Sequence, residues 1–342
     1  MGLDRKAIAY RAINHQETSL CPYTFSAEDV VARELDAYYG YSSWRNKYHD
    51  YVVACAGFDE GVRWDAPGCS KDIYGTVWRT DRRPAHIEAP VLKTPSLRGY
   101  RFPDPETIAT KDWAENARAE IARHADCLTV GRLGAGLFER SWMMRGFLDL
   151  LTDVAAEPAF FEDLLAAIAD HQLQLVDRLL ELPLDGIMFS DDWGDQRGVI
   201  IGPERWRQFI KPNVATLYAK AKAAGKIVLT HCCGSIVDIM PDVIEIGLDV
   251  LQSVQPEAHG MNPYKLKERY GRQLTFWGGL GSQSIVPFGT PRELRSEIRM
   301  LASRMGRGGG YMLAPAKALM PETPTENAAA ILEEFMALGE PA

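Results

Sequence analysis

Short apolar runs alternating with helical patterns predict the fold class: α/β, a (β/α)8 barrel with N-terminal helical and β-ribbon additions. Three observations carry this. Strand-like runs at 127–132, 186–190, 226–231, 249–254, 274–278 and 310–314 are separated by helical patterns at about 142–154, 158–182, 203–224, 235–246, 263–270, 291–305 and 324–338. The runs are short and apolar, as strands covered on both faces are. No Gly-x-Gly-x-x-Gly turn follows the first strands, so nothing supports an open dinucleotide-binding sheet.

The elements follow in order. Residues 3–15 read as an amphipathic helix with Ile8, Ala9, Ala12 and Ile13 on one face. Residues 20–25 are a short strand, after which Ser26 is placed to cap a helix reaching about residue 38. From 51 to 80, Val52, Val62, Trp64, Tyr74 and Trp78 are interrupted by Gly57, Gly61, Pro67, Gly68 and Gly75, the pattern of irregular strands and hairpins. One strand from this stretch, together with 20–25, brings the barrel to eight. Pro103 and Pro105 precede a helix at about 105–125. The expected organisation is one barrel domain over 1–342, with 51–100 as a ribbon or lid insertion.

Composition narrows the function. The chain has 342 residues, 46% of them hydrophobic, enough for one large core. A formal net charge of -8 with no long basic run argues against nucleic acid as a partner. No apolar run of about 20 residues is present, so no membrane partner is expected. The N-terminus lacks an apolar signal core, and a cytoplasmic location is the expectation. The six scattered cysteines are then buried thiols or ligands rather than disulfides.

In a barrel, the residues just after each strand share one mouth, where chemistry is placed. These include Glu139, Asp191, Asp192, Trp193, Gln196, His231, Cys233, Gln255, Glu257, Gln283 and Lys317. His231 and Cys233 are spaced i, i+2 on an extended segment, so both project to one side while Cys232 points to the other. Imidazole nitrogen and thiolate sulfur suit zinc. Two ligands leave open a metal site or a core histidine beside buried thiols, and the carboxylates available as a third ligand are Glu139, Asp191, Asp192 and Glu257. Asp191 and Asp192 are candidates for metal ligand, general base or substrate acceptor, and only one of them can point inward. Lys317 is placed to neutralise a substrate anion or to sit as a solvated loop lysine. Arg145 and Arg197 are further cations near the mouth.

Several motifs in order resemble the uroporphyrinogen decarboxylase superfamily. They are Phe189-Ser-Asp-Asp-Trp-Gly-Asp-Gln196, His231-Cys-Cys-Gly234, Phe276-Trp-Gly-Gly279 with Pro287-Phe-Gly-Thr-Pro291, and Gly309-Gly-Tyr-Met-Leu-Ala-Pro315 leading to Pro321-Glu-Thr-Pro-Thr-Glu-Asn327. Weaker similarity reaches back to Trp142-Met-Met-Arg-Gly146. The resemblance implies a (β/α)8 barrel. It is closest to the branch of corrinoid-dependent zinc methyltransferases, whose zinc motif is His-x-Cys followed much later by Cys. His231 and Cys233 match the first two ligands, and Lys317 stands near where the third is expected, so Asp191 or Asp192 becomes the first candidate to complete the site or act as base. The Arg-rich N-terminal motif of true uroporphyrinogen decarboxylases is missing from residues 20–40.

The resemblance therefore implies a zinc-dependent methyltransferase, a demethylase component, moving a methyl group between a small O-, N- or S-methylated substrate and a corrinoid (cobalamin) carrier. Zinc is the implied cofactor, with the corrinoid on a separate protein. Glu139, Trp193, Gln196, Gln255, Gln283 and Lys317 are the implied substrate-binding residues. The alternatives are a metal-free decarboxylase acting on a tetrapyrrole or aromatic acid, and a binding protein of the same fold. The sequence is compatible with a homodimer.

Overall fold

The computed structural model describes residues 4–58, 61–63 and 66–339. Residue 3, at the expected start of the first helix, and residues 59, 60, 64 and 65, in the expected ribbon, lie outside them. So do the side chains of Val62 and Arg63.

The strands in chain order are β1 Val52–Gly57, β2 Gly61–Arg63, β3 Cys69–Asp72, β4 Val77–Arg79, β5 His86–Ala89, β6 Leu128–Leu133, β7 Gly186–Ser190, β8 Ile227–His231, β9 Val250–Val254, β10 Thr275–Leu280 and β11 Tyr311–Pro315. Seven of them form a parallel sheet in the order β1-β6-β7-β8-β9-β10-β11. Every residue of β7, β10 and β11 is buried, which is what helices on the outside and a packed interior require. The sheet curls until its edges meet on residues 22–24. Thr24 N–H donates to Leu313 O at 3.0 Å, Leu313 N–H to Pro22 O at 2.8 Å, and Tyr51 N–H to Tyr23 O at 3.0 Å. The expected eighth strand is thus a short bridge that satisfies both edges and closes the barrel.

β2 to β5 form a separate antiparallel sheet, inserted at the C-terminal end of β1. It is tied to the barrel wall by Thr76 Oγ1, which donates to Met143 O at 3.0 Å, and by the Arg140 guanidinium 3.7 Å over the Tyr74 ring.

The helices depart from the sequence reading in instructive places. Ser26 does not cap its helix: its carbonyl accepts from Leu319 N–H and Glu28 N–H donates to Leu319 O, so this segment continues the barrel seam. The helix starts later, at Asp29–Tyr39. The pattern at 105–125 divides into Pro105–Ile108 and Lys111–Arg123, because the Thr110 hydroxyl accepts from Trp113 N–H and opens a new helix. The pattern at 142–154 is two helices, Leu137–Arg145 and Phe147–Ala156, broken at Gly146 with φ +93°. The stretch beginning at Pro203 passes through a π-turn, Trp206–Ile210, before Lys211–Ala223, where Pro212 supplies no N–H to the helical ladder. The helix expected from Ser235 begins as a 3-10 turn at Val237–Ile239 and becomes α-helical only at Met240–Glu245. Ser235 cannot cap it, since its hydroxyl donates to His259 O at 2.6 Å.

Candidate metal centre

β8 delivers His231 to the mouth and ends there. His231 Nδ1 faces the carboxamide oxygen of Gln252 on neighbouring β9, in a short hydrogen bond. Nδ1 therefore carries the hydrogen, and the lone pair of Nε2 is directed away from Gln252. On that side Nε2 lies 3.4 Å from Cys233 Sγ and 3.7 Å from Asp192 Oδ1. Asp192 follows the end of β7 and is fixed by Cys233 N–H, which donates to its Oδ1 at 2.7 Å. Nitrogen, sulfur and carboxylate oxygen lie within 4.8 Å of one another. A tetrahedral centre with bonds of ~2.0–2.3 Å sets its ligand atoms about 3.3–3.8 Å apart, and the separations from Nε2 fall in that range. The donor set therefore fits zinc. Three protein ligands would leave a fourth position for an exchangeable group, the arrangement of catalytic rather than structural zinc sites.

The electrostatics of the cluster favour a cation. Burial, then repulsion from Asp192, pushes the Cys233 thiol up to about 12, while the Ser253 hydroxyl and the Lys317 charge pull it down. Burial, reinforced by Asp191 and Asp192, raises Glu139 to about 9. Carboxylates and a thiol gathered in a partly buried site repel one another, and a divalent cation would relieve that penalty.

The two adjacent aspartates have separate roles. Asp191 does not reach the cluster. It is buried and accepts from Phe138 N–H at 3.0 Å, Glu139 N–H at 2.8 Å and Trp193 Nε1 at 2.6 Å. It therefore caps the N-terminus of Leu137–Arg145, where backbone N–H groups favour an anion. Burial still lifts its pKa to about 7, against those three donors. Trp193 does not line the mouth either. Its indole is buried against Trp206, with ring centroids 5.2 Å apart.

The remaining expected residues divide between scaffold and rim. Gln255 is buried, and its Oε1 accepts from Gly234 N–H at 3.1 Å, holding the loop after Cys233. Gln196 and Gln283 bond to each other at 3.2 Å on the exposed rim. Glu257 accepts from Gln283 N–H and the Ser284 hydroxyl and fixes that loop. Arg145 is buried in ion pairs with Asp149 and Asp153, away from the cluster, and Arg197 pairs with Asp195 in solvent. Cys232 points opposite to Cys233, accepting from Trp193 N–H at 3.3 Å.

Sequence reasoning missed Gln252 and Ser253. The signal available was polarity: both are hydrogen-bonding side chains inside an otherwise apolar run. Ser253 sits at φ +90°, where the β9–β10 register shifts, and its hydroxyl donates to Ala316 O.

Fold and site together define a parallel α/β barrel with a candidate metal centre at the end where barrel enzymes work. The chain belongs to the uroporphyrinogen decarboxylase (URO-D) family, whose model matches residues 75–337. Among curated relatives, it is 22% identical over 184 residues to a uroporphyrinogen decarboxylase of Methylococcus capsulatus, covering 52% of this chain and 48% of that protein. It is also 22% identical over 202 residues to the methylcobamide:CoM methyltransferase MtaA of Methanosarcina barkeri, covering 55% of each. The chain thus spans about half the length of the curated relatives it matches. Among solved structures, a methyltransferase from Methanosarcina mazei superposes with a TM-score of 0.71 at 18% identity, over 97% of this chain and 98% of that one. That likeness establishes the barrel fold.

Proposed function

We propose that this protein is a zinc-dependent methyltransferase, moving a methyl group between a small O-, N- or S-methylated substrate and a corrinoid (cobalamin) carrier on a separate protein. The observation that carries the proposal is the convergence of Asp192, His231 and Cys233 at the mouth, with Nε2 3.4 Å from sulfur and 3.7 Å from carboxylate oxygen. The likeness to a methylcobamide:CoM methyltransferase supports the methyl-transfer class.

His231 Nε2, Cys233 Sγ and an Asp192 oxygen would hold the ion. Zinc supplies, when bound, a Lewis acid that polarises the heteroatom carrying the methyl group. The protein's own residues do the rest. Gln252 holds His231 in the tautomer that presents Nε2. Cys233 N–H holds Asp192 toward the imidazole. Asp191 anchors the helix that brings Glu139 beside the Asp192 carboxylate. Decarboxylation of a many-charged acid has weaker support, because the carboxyl groups of Asp192 and Glu257 stand at this end of the barrel and Arg145 is already paired with Asp149 and Asp153.

The test is metal content together with transfer. Purified protein is expected to carry about one zinc per chain by elemental analysis, and to consume cob(I)alamin, followed by its absorbance, when offered a matching methyl ether, amine or thioether. Cys233→Ser is expected to lose both properties. Retention of both zinc and transfer in Cys233→Ser refutes the proposal.

A further inference from the structure

A cavity lies at the other end of the barrel. Asp50 and Cys127 precede β1 and β6, which run parallel, so both residues stand at the N-terminal face of the sheet, opposite the metal centre. Around them opens a volume of ≈ 510 Å³, which suits a small molecule. No residue of the metal centre lines it.

Its polar walls are mostly hydrogen-bond donors. Arg5, Arg45, Asn46, His49 and Arg123 all line it. The three arginines have carboxylate partners: Asp126 for Arg5, Asp36 for Arg45 and Glu120 for Arg123. Those carboxylates do not line the cavity, and two of the guanidinium groups keep unused nitrogens. Arg45 donates through Nε and Nη2, to Asp36 and Ala32 O, which leaves Nη1. Arg123 meets Glu120 through Nη2, which leaves Nε and Nη1. Among the described residues, the His49 ring and the Asn46 carboxamide have no hydrogen-bond or ionic partner. One acid, Asp50, also lines the cavity. Its Oδ1 accepts from Phe25 N–H at 2.7 Å, and burial pushes its carboxyl up to about 7, so at neutral pH it opposes an anion with only part of its charge. Guanidinium groups with unused N–H donors match phosphate oxygens. Donors arriving from four side chains suit an anion with several oxygens around one centre, as phosphate has, better than a planar carboxylate.

We propose that this cavity binds a phosphate group, free or carried by a small phosphorylated molecule, through Arg45, Arg123, His49 and Asn46. A ligand held at the N-terminal face does not reach His231 or Cys233, so it acts as an effector and is not the reacting molecule. This site does not rest on the methyl-transfer reading.

Isothermal titration calorimetry of the zinc-loaded protein in a low-salt, phosphate-free buffer tests this, with inorganic phosphate and glycerol 3-phosphate as probes. At least one is expected to bind with a Kd of about 1 mM or tighter, and the tighter of the two identifies the source of the phosphate. Arg123→Ala, at a mostly exposed side chain, is expected to weaken binding about fivefold or more, and the double variant Arg123→Ala/His49→Ala to abolish it. Arg197→Ala, which removes a solvent-exposed charge elsewhere, and Cys233→Ser are expected to bind as the wild type does. No binding of either probe at about 10 mM, or an unchanged affinity in the double variant, overturns the proposal. So does an equal loss in Arg197→Ala, which would mean unspecific attraction, or a loss in Cys233→Ser, which would place the anion at the metal centre.

Discussion

Gln252 determines which nitrogen of His231 faces the cluster. Without its carboxamide oxygen, the imidazole would be free to rotate or to place its hydrogen on Nε2, where a metal ligand needs a lone pair. Gln252→Leu is therefore expected to weaken zinc binding about 10–100-fold while β9 remains formed. Competition with a chromophoric chelator measures this, and an unchanged zinc affinity would mean that Gln252 does not orient His231 for metal. The same scale shows what the sequence could carry. His231 and Cys233 were legible because i, i+2 spacing on a strand is a local rule. That only one of Asp191 and Asp192 turns inward was legible for the same reason. Which one does so was not, because it depends on Phe138, Glu139 and Trp193 offering three donors to Asp191 from outside the strand.

At the scale of elements, the site depends on two loops pressed together. The loop after β7 and the loop after β8 touch at Gly194 and Gly234. A Cβ on Gly234 would lie 2.5 Å from the Gly194 carbonyl carbon and oxygen, and Gly234 itself is at φ +74°. Backbone cannot yield as a side-chain tip can. Gly234→Ala is thus expected to cost about 2–4 kcal/mol, combining left-handed strain with overpacking, and to displace Cys233. Gly40 provides the control. It has the same φ of +74° at the end of its helix, but a Cβ there meets nothing within 4 Å. Gly40→Ala should cost only about 1 kcal/mol, with zinc content untouched. Urea unfolding of both variants separates the terms, and equal losses would show that the loop contact is unimportant. The contact of Gly234 with Gly194 was not legible in the sequence, since Gly194 comes from another β/α unit. The strands were placed well, but Ser26 was misassigned as a cap and the helix expected from 235 starts late, because the Ser26 backbone and the Ser235 hydroxyl answer to residues far along the chain.

For the whole molecule, the question is how the antiparallel sheet is held to the barrel. His171, on the barrel helix Pro158–Leu180, is the buried meeting point. Its Nε2 lies 3.2 Å from the Tyr74 hydroxyl, and its ring stacks on Phe102 with centroids 5.3 Å apart. Burial, with a smaller contribution from Arg140, lowers its pKa to about 4. In the unfolded chain a histidine titrates near 6.5. Between those values the unfolded state takes up the proton and the folded state does not, so stability falls as pH drops from about 6.5 towards 4. At pH 5 the loss relative to pH 7 is about 2 kcal/mol. Asp50 and Asp191, each raised to about 7 by burial, act in the opposite sense over part of that range, so the raw profile mixes the contributions. His171→Gln isolates one of them. Glutamine does not titrate and retains a polar group opposite Tyr74. The drop in unfolding free energy from pH 7 to pH 5, measured in urea, should be about 2 kcal/mol smaller in the variant than in the wild type. Parallel pH profiles would mean that His171 is protonated, or reaches solvent, in the folded protein, and that the junction between ribbon and barrel is not the buried contact described.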